Sequence, residues 1–315
     1  MAAALLCSCG SEPQQYRIVG YLPAFRGDIV PENYWWDMTH MNLSFVTVNA
    51  DGSINDGRVR KCFSQVSDIA AEKDIKLLAS IGGGGPKEEQ DNFAAAVVNP
   101  VARKILAENL AALAEELPLA GIDLDYEAWN YDEDYLTEIV PSLEDLMAQL
   151  RSLMGEEKLI TAAVATYGRY TKKMFDTMDY FTVMCYDLTG PWSKEGGPHS
   201  PFEYFVQGIE MCLNIGAPAD KIVPGVPFYG YGFPDGKTEH SYSKSYGRIV
   251  EEFPGSENMD CVNGELYYDG MPTMERKCQY VKANGLGGIM FWQLGGDSLD
   301  PDKSLVRLIN RVLGE

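Results

Sequence analysis

The chain is short of the residues that usually hold metals or staple small folds. Its three histidines, His40, His199 and His240, form neither HxH nor HExxH, so the common zinc spacings have no ligands. The seven cysteines (Cys7, Cys9, Cys62, Cys185, Cys212, Cys261 and Cys278) contain no CxxC pair. An odd and dispersed set is not a disulfide framework, and Cys62, Cys185, Cys212 and Cys278 are expected as small apolar core residues. Positive charge is scarce: 26 Lys and Arg against 46 Asp and Glu leave a net charge of −20 over 315 residues. A surface that negative repels phosphate backbones and anionic headgroups, which disfavours nucleic acid and membrane surfaces as partners. A neutral polar ligand meets no such penalty. No apolar run approaches the roughly 20 residues that span a bilayer. The glycine run Gly82–Gly85 lacks both the GK[ST] ending and the GxGxxG spacing of phosphate loops, so no nucleotide cofactor is expected.

What is present reads as an ordinary globular chain, 45% hydrophobic and 23% charged. Residues 1–15 stand apart. The short apolar stretch ending Leu6-Cys7-Ser8-Cys9 resembles the tail of a bacterial lipoprotein signal with Cys9 as the lipidated residue. It is short for a complete signal peptide and has no basic residues, so it reads either as a truncated export signal or as residues foreign to the protein. The export reading implies a cell-surface or periplasmic lipoprotein, and residues 10–15 a tether. From residue 16 to 315, apolar β-branched runs alternate with amphipathic helical stretches. Strands are expected at Tyr16–Leu22, Met41–Val48, Lys76–Ile81, Gly121–Glu127, Leu159–Ala165, Tyr180–Tyr186, Ile222–Tyr229 and Gly287–Leu294. Asn99 and Pro100 supply a cap and first helical position before Leu106, Leu110, Leu113 and Leu117, and Pro118 ends that helix. A second helix is expected from Pro141 to Met154, with Gly155 past its end. Eight β-then-α units in about 300 residues fit a single closed (β/α)8 barrel better than an open doubly wound sheet.

The informative segment is Gly121-Ile122-Asp123-Leu124-Asp125-Tyr126-Glu127. Alternation along a strand puts Asp123, Asp125 and Glu127 on one face and Ile122, Leu124 and Tyr126 on the other. In a barrel the apolar set packs under the helices, the acids point inward, and Glu127 reaches the carboxyl end where barrel active sites are built. Same-face neighbours lie about 7 Å apart and repel by roughly 2.4 kcal/mol at an effective dielectric near 20. That is enough to keep one acid protonated nearer neutrality, as a general acid requires. Two other readings of the same acids stay open: a charged strand tip in solvent, and oxygen ligands for Mg²⁺ or Ca²⁺.

With these residues in view, the sequence resembles the family 18 glycoside hydrolases, the chitinases and endo-β-N-acetylglucosaminidases. Residues 120–127 match their DGxDxDxE signature except for Ala120 in the first position. Ser80-Ile81-Gly82-Gly83 matches SxGG, Met184-Cys185-Tyr186-Asp187 matches MxYD, and Pro224 to Gly230 and Gly288 to Leu294 resemble the last two strands. The resemblance implies Glu127 as proton donor and later base, with the substrate's own N-acetyl oxygen as nucleophile, outside the two-carboxylate scheme. It implies that Asp125 accepts the acetamide N–H, that Asp123 holds Asp125 or shares its proton, and that Tyr186 donates to the acetamido oxygen. Asp187 would touch the distorted sugar and Trp292 would form its floor, with Met184, Tyr21 and Tyr229 lining the pocket; Trp35, Trp36, Trp129 and Trp192 are either further sugar platforms or, equally, ordinary surface or core aromatics. By alternation Ala120 lies away from Glu127, so a structural cost is expected rather than lost chemistry. Only about 57 residues separate Tyr229 from Gly287, with a helix expected at Pro272–Ala283. That leaves little room for a full-size insertion domain, so an open cleft suited to short or single chains is expected. The implied activity is retaining hydrolysis of β-1,4-linked N-acetylglucosamine chains by a monomer that needs no metal or cofactor. Cleavage of protein-linked glycans, glycan binding without catalysis, and a metal-dependent barrel enzyme are the competing functions.

Overall fold

The computed structural model describes residues 15–27, 29, 30, 32 and 34–314. Cys7, Cys9 and all but the last residue of the expected tether lie outside the described residues. The eight expected strands are present: β1 (Arg17–Pro23), β2 (His40–Val48), β3 (Lys76–Gly82), β4 (Gly121–Asp125), β5 (Leu159–Ala165), β6 (Tyr180–Met184), β7 (Ile222–Pro227) and β8 (Gly288–Trp292). All pair in parallel. Val19 of β1 faces Met290 of β8 on one side and His40 of β2 on the other, so the sheet closes on itself.

Helices α1 (Gly57–Glu72), α2 (Lys87–Val98), α3 (Pro100–Glu116), α4 (Glu133–Met154), α5 (Lys172–Thr177) and α6 (Phe202–Ile215) follow the strands in turn. They are joined by α7 (Tyr246–Glu252), α8 (Met271–Ala283) and α9 (Leu305–Gly314). The Asn99 side chain caps α3 by accepting from the Val101 and Ala102 amides, which would otherwise be orphan donors at a helix start. Helix α4 begins eight residues before the expected Pro141. Asp132 caps it by accepting from the Tyr135 amide, and Glu133 and Asp134 sit in its first turn, where the helix dipole favours them. Pro141 is therefore interior. Its missing N–H is tolerated because Leu136 and Ile139 before it and Leu143, Leu146 and Met147 after it are all buried.

The main core lies between barrel and helices and takes Ile122, Leu124 and Tyr126 from β4 and its end. Cys62, Cys185, Cys212 and Cys278 are buried and free, as small core residues. Inside the barrel a smaller apolar cluster (Val19, Tyr21, Ala163, Tyr180, Tyr186, Val223, Met290) meets a polar layer of Asn42, Ser44, Ser80, Asp123, Thr161 and Thr182, all fully buried. Between β7 and β8 the chain forms more than the expected loop and helix. Four short antiparallel strands, Tyr229–Gly232, Tyr242–Ser245, Cys261–Val262 and Leu266–Tyr267, make a second sheet, with α7 beside it. Among the described residues no helix is long and apolar enough to cross a membrane.

Candidate active site

The site starts from a buried carboxylate. Asp123 is fully buried and accepts three hydroxyl hydrogen bonds. Tyr21 and Ser80 donate to Oδ2, both at 2.8 Å, and Thr161 to Oδ1 at 2.6 Å. Burial raises its pKa and these donors oppose the rise. Among the described contacts no hydrogen bond links Asp123 to Asp125, and Asp123 accepts from hydroxyls of β1, β3 and β5. The two acids interact through space instead.

Asp125 is buried, and among the described residues its Oδ1 has no hydrogen-bond partner. Burial, then the charge of Glu127, then that of Asp123 push its pKa well above the usual carboxylate range. Strand β4 ends here, two residues earlier than expected, its last sheet bond running from the Gly83 amide to the Asp125 carbonyl at 2.8 Å. Glu127 thus leaves the strand and enters the barrel mouth half-buried. Its pKa is pushed up to about 7, first by burial and then by the charge of Asp187, against a hydrogen bond from the Gly84 backbone. Repulsion along the strand, the expected cause, is therefore subordinate to burial for both acids. The glycine run serves this packing. Gly82 has φ +101°, and a Cβ there would lie 2.4 Å from the Asp125 carbonyl oxygen, while one on Gly84 would lie 3.2 Å from both Glu127 carboxyl oxygens.

Glu127 and Asp125 open into a cleft of about 1020 Å³ at the carboxyl ends of the strands, where barrel sites belong. Tyr186, Asp187, Met184, Tyr229, Trp292 and Tyr21 all line it. Among the described residues the Tyr186 hydroxyl donates to the Met290 sulfur at 4.0 Å, a weak acceptor that a ligand oxygen can displace. Tyr229 donates to Asp187 Oδ1. Trp292 stacks on Phe45 at 5.7 Å and 13°, leaving its other face for the cleft. Tyr21 is only 1% exposed and its hydroxyl is committed to Asp123, so it both lines the deepest part of the cleft and braces the acid beneath it. Of the four further tryptophans, Trp192 reaches the cleft. Trp129 is core, Trp35 and Trp36 pack against the core, and Trp35 donates to the Ser298 carbonyl. Ala120 lies at the start of β4, where its amide and carbonyl join Leu77 and Leu159, at the barrel end opposite the cleft.

Phe45, Thr166, Tyr167 and Tyr204 line the cleft without having been singled out in the sequence. They come from β2, the end of β5 and α6, so no local pattern announces them. Among the described residues no group of three or more His, Cys, Asp or Glu is placed to hold a metal ion. A carboxylic acid that keeps its proton near neutrality, in a cleft walled by aromatic faces and hydroxyls, is equipped to protonate a neutral, polar, ring-shaped ligand.

Comparison with known proteins agrees with this geometry. The family model described as glycosyl hydrolases family 18 matches residues 17–297. Chitinase 63 of Streptomyces plicatus is 29% identical, the alignment covering 83% of this chain and 53% of that protein. Chitinase C of Streptomyces lividans is 30% identical over 78% of this chain and 46% of its own length. The chain thus spans about half the length of these two relatives. Among solved structures, a chitinase from Bacteroides thetaiotaomicron is 28% identical with a TM-score of 0.82, covering 95% of this chain and 96% of that one.

Proposed function

The chain belongs to glycosyl hydrolases family 18, and from that premise we propose that it is a retaining, substrate-assisted glycosidase acting on β-1,4-linked N-acetylglucosamine chains, as in chitin or chitooligosaccharides. One observation carries the reading. Glu127 holds a proton to about pH 7 at the cleft, as a general acid needs, while Asp123 is occupied by three hydroxyls and burial disfavours the charge on Asp125. The family resemblance implies that the nucleophile comes from the substrate, and this arrangement of acids supports that reading.

Glu127 gives its proton to the glycosidic oxygen as the bond from that oxygen to the anomeric carbon breaks. The acetamido carbonyl oxygen of the same sugar forms the new bond to that carbon and closes an oxazolinium ring. Intramolecular attack of this kind reaches effective molarities of roughly 10⁵–10⁸ M. The Tyr186 hydroxyl orients the acetamido oxygen, and Asp125 accepts the acetamide N–H. Burial disfavours the Asp125 charge in the free enzyme, and the cation growing beside it favours that charge, so the interaction is strongest in the transition state. Water activated by Glu127, now a base, then opens the ring with retention. Trp292 floors the reacting sugar and Asp187 contacts it; Met184 and Tyr229 complete the walls. The small sheet between β7 and β8 supports action on short or single chains rather than on crystalline chitin.

The test is incubation with chitooligosaccharides, their deacetylated counterparts and a high-mannose glycopeptide, alongside Glu127→Gln. N-acetylated oligomers should be cut, deacetylated ones left nearly inert, and the variant slowed at least roughly 10²-fold. Equal cleavage of deacetylated oligomers would refute the internal nucleophile, and preferential cleavage of the glycopeptide would reassign the substrate. We also propose an exported monomer anchored through Cys9. Labelled fatty acid should enter the wild type and not Cys9→Ser, and light scattering should give a mass near 34.9 kDa.

A further inference from the structure

His199 belongs to none of the sequence motifs, yet it is 1% exposed and lies directly behind the site. The loop after β6 returns to it through a hydrogen bond from the Leu188 amide to the His199 carbonyl. The ring is wedged between Tyr229 and Tyr231, with both ring centroids 5.0 Å away. Its Nε2 is 3.2 Å from the Tyr229 carbonyl oxygen, and its Nδ1 is 3.3 Å from Asp187 Oδ1. Asp187 itself has φ +63°, a left-handed backbone that non-glycine residues occupy sparingly, so its side chain needs external restraint.

Counting protons gives this contact a function. The Tyr229 carbonyl only accepts, so Nε2 must carry a hydrogen. Asp187 Oδ1 already accepts from the Tyr229 hydroxyl, so a hydrogen bond with Nδ1 requires a second proton, held on the imidazole or shared with the carboxyl. A neutral ring facing an ionised carboxylate would oppose two lone pairs. The groups facing His199 are Asp187, Tyr229 and Tyr231 on the cleft side and Asp269 on the other; Asp269 feels His199 electrostatically and is paired with buried Lys277 at 2.6 Å. With Asp269 answered by Lys277, Asp187 is the acid left for His199 to serve.

We propose that His199 is a positioning residue for the hydrolysis: through a proton shared with Asp187 it fixes that carboxylate against the reacting sugar and offsets the charge it presents to Glu127. The proposal rests on the hydrolase reading and extends it. Asp187 is the charge that lifts the pKa of Glu127 after burial. Loss of the compensating proton should lift it further, and activity should then persist to higher pH.

The experiment uses the full chain with two replacements that split the ring. His199→Asn keeps a donor near the Nδ1 position, and His199→Gln keeps one near Nε2. With chitooligosaccharides, His199→Gln should lose roughly tenfold or more in kcat/KM, within the range a small misplacement costs, and the falling limb of its pH profile should move up. His199→Asn should retain most of the activity. Equal losses in both that follow their thermal midpoints, or an unmoved limb in His199→Gln, would leave His199 a packing residue and overturn the proposal. A readout independent of turnover comes from nitrogen-15 NMR of the histidine rings at neutral pH. Protons on both His199 nitrogens in the wild type, and on Nε2 alone in Asp187→Asn, support the shared proton, whereas a neutral wild-type ring refutes it. Were every sugar left uncut, the hydrolase reading would fall while this spectrum still decided the contact.

Discussion

Replacing Glu127 by Gln should make the folded protein more stable, and the gain should depend on pH. Folding raises the carboxyl from an ordinary value of 4.5 to about 7, so the fold prefers this group protonated. Below about pH 4.5 the acid is neutral in both folded and unfolded chains, and there is no penalty. As pH rises from 4.5 through 7 the unfolded chain releases the proton while the fold retains it, and stability declines; above 7 the penalty is constant. At about 1.4 kcal/mol per pH unit the interval is worth roughly 3 kcal/mol, reduced to about 2–3 kcal/mol because the side chain is partly open to solvent. Gln has the same shape, keeps a carbonyl for the Gly84 amide and never ionises. Thermal midpoints of wild type and variant should therefore nearly coincide at pH 4 and differ by about 5 °C at pH 8, taking roughly 2 °C per kcal/mol for a chain of this size. A gap that is absent at pH 8, or equal at both pH values, would refute the claim that the mouth of the barrel holds this proton.

Three further outcomes follow from the same geometry. Asp187→Asn removes the charge that lifts Glu127 after burial, so the pH at which kcat/KM falls should move down, read from a pH–rate profile. Tyr186→Phe should slow turnover by roughly 10–10²-fold without lowering the thermal midpoint, because the lost hydroxyl donates to a weak acceptor, the Met290 sulfur at 4.0 Å. Gly82→Ala should cost at least about 1–3 kcal/mol, since it combines φ +101° with a Cβ 2.4 Å from the Asp125 carbonyl; an unchanged midpoint would mean that the β3–β4 junction is looser than described.

The barrel was legible because its strands are buried on both faces and read as apolar runs between clear helix signals. The acids of β4 and its end were legible for a related reason: three carboxylates at alternate positions are costly to bury on an inward face without a use for them. Where the reading erred, the deciding contact was nonlocal. Pro141 looked like a helix start because the Asp132 cap was not recognised and the burial of Leu136 and Ile139 was not visible. That Tyr21 also braces Asp123 was not visible, because a contact between residues a hundred positions apart leaves no local trace. Trp129 was left between sugar platform and core aromatic because a residue next to a motif carries no mark of the direction it faces; the structure places it in the core. Phe45, Tyr167, Tyr204 and His199 went unremarked because each is one residue on its own element, and only closure of the sheet gathers them.

Asp123 receives its three hydroxyls from strands that begin at residues 17, 76 and 159. It works as a rivet joining early and middle portions of the polypeptide, and the reactive pair follows it closely, Asp125 at the end of the same strand and Glu127 just past it. No shorter fragment ending before residue 161 can complete the fastening. Recovery of enzymatic turnover on refolding should therefore lag behind the return of helical signal and report the moment the last staves are drawn together.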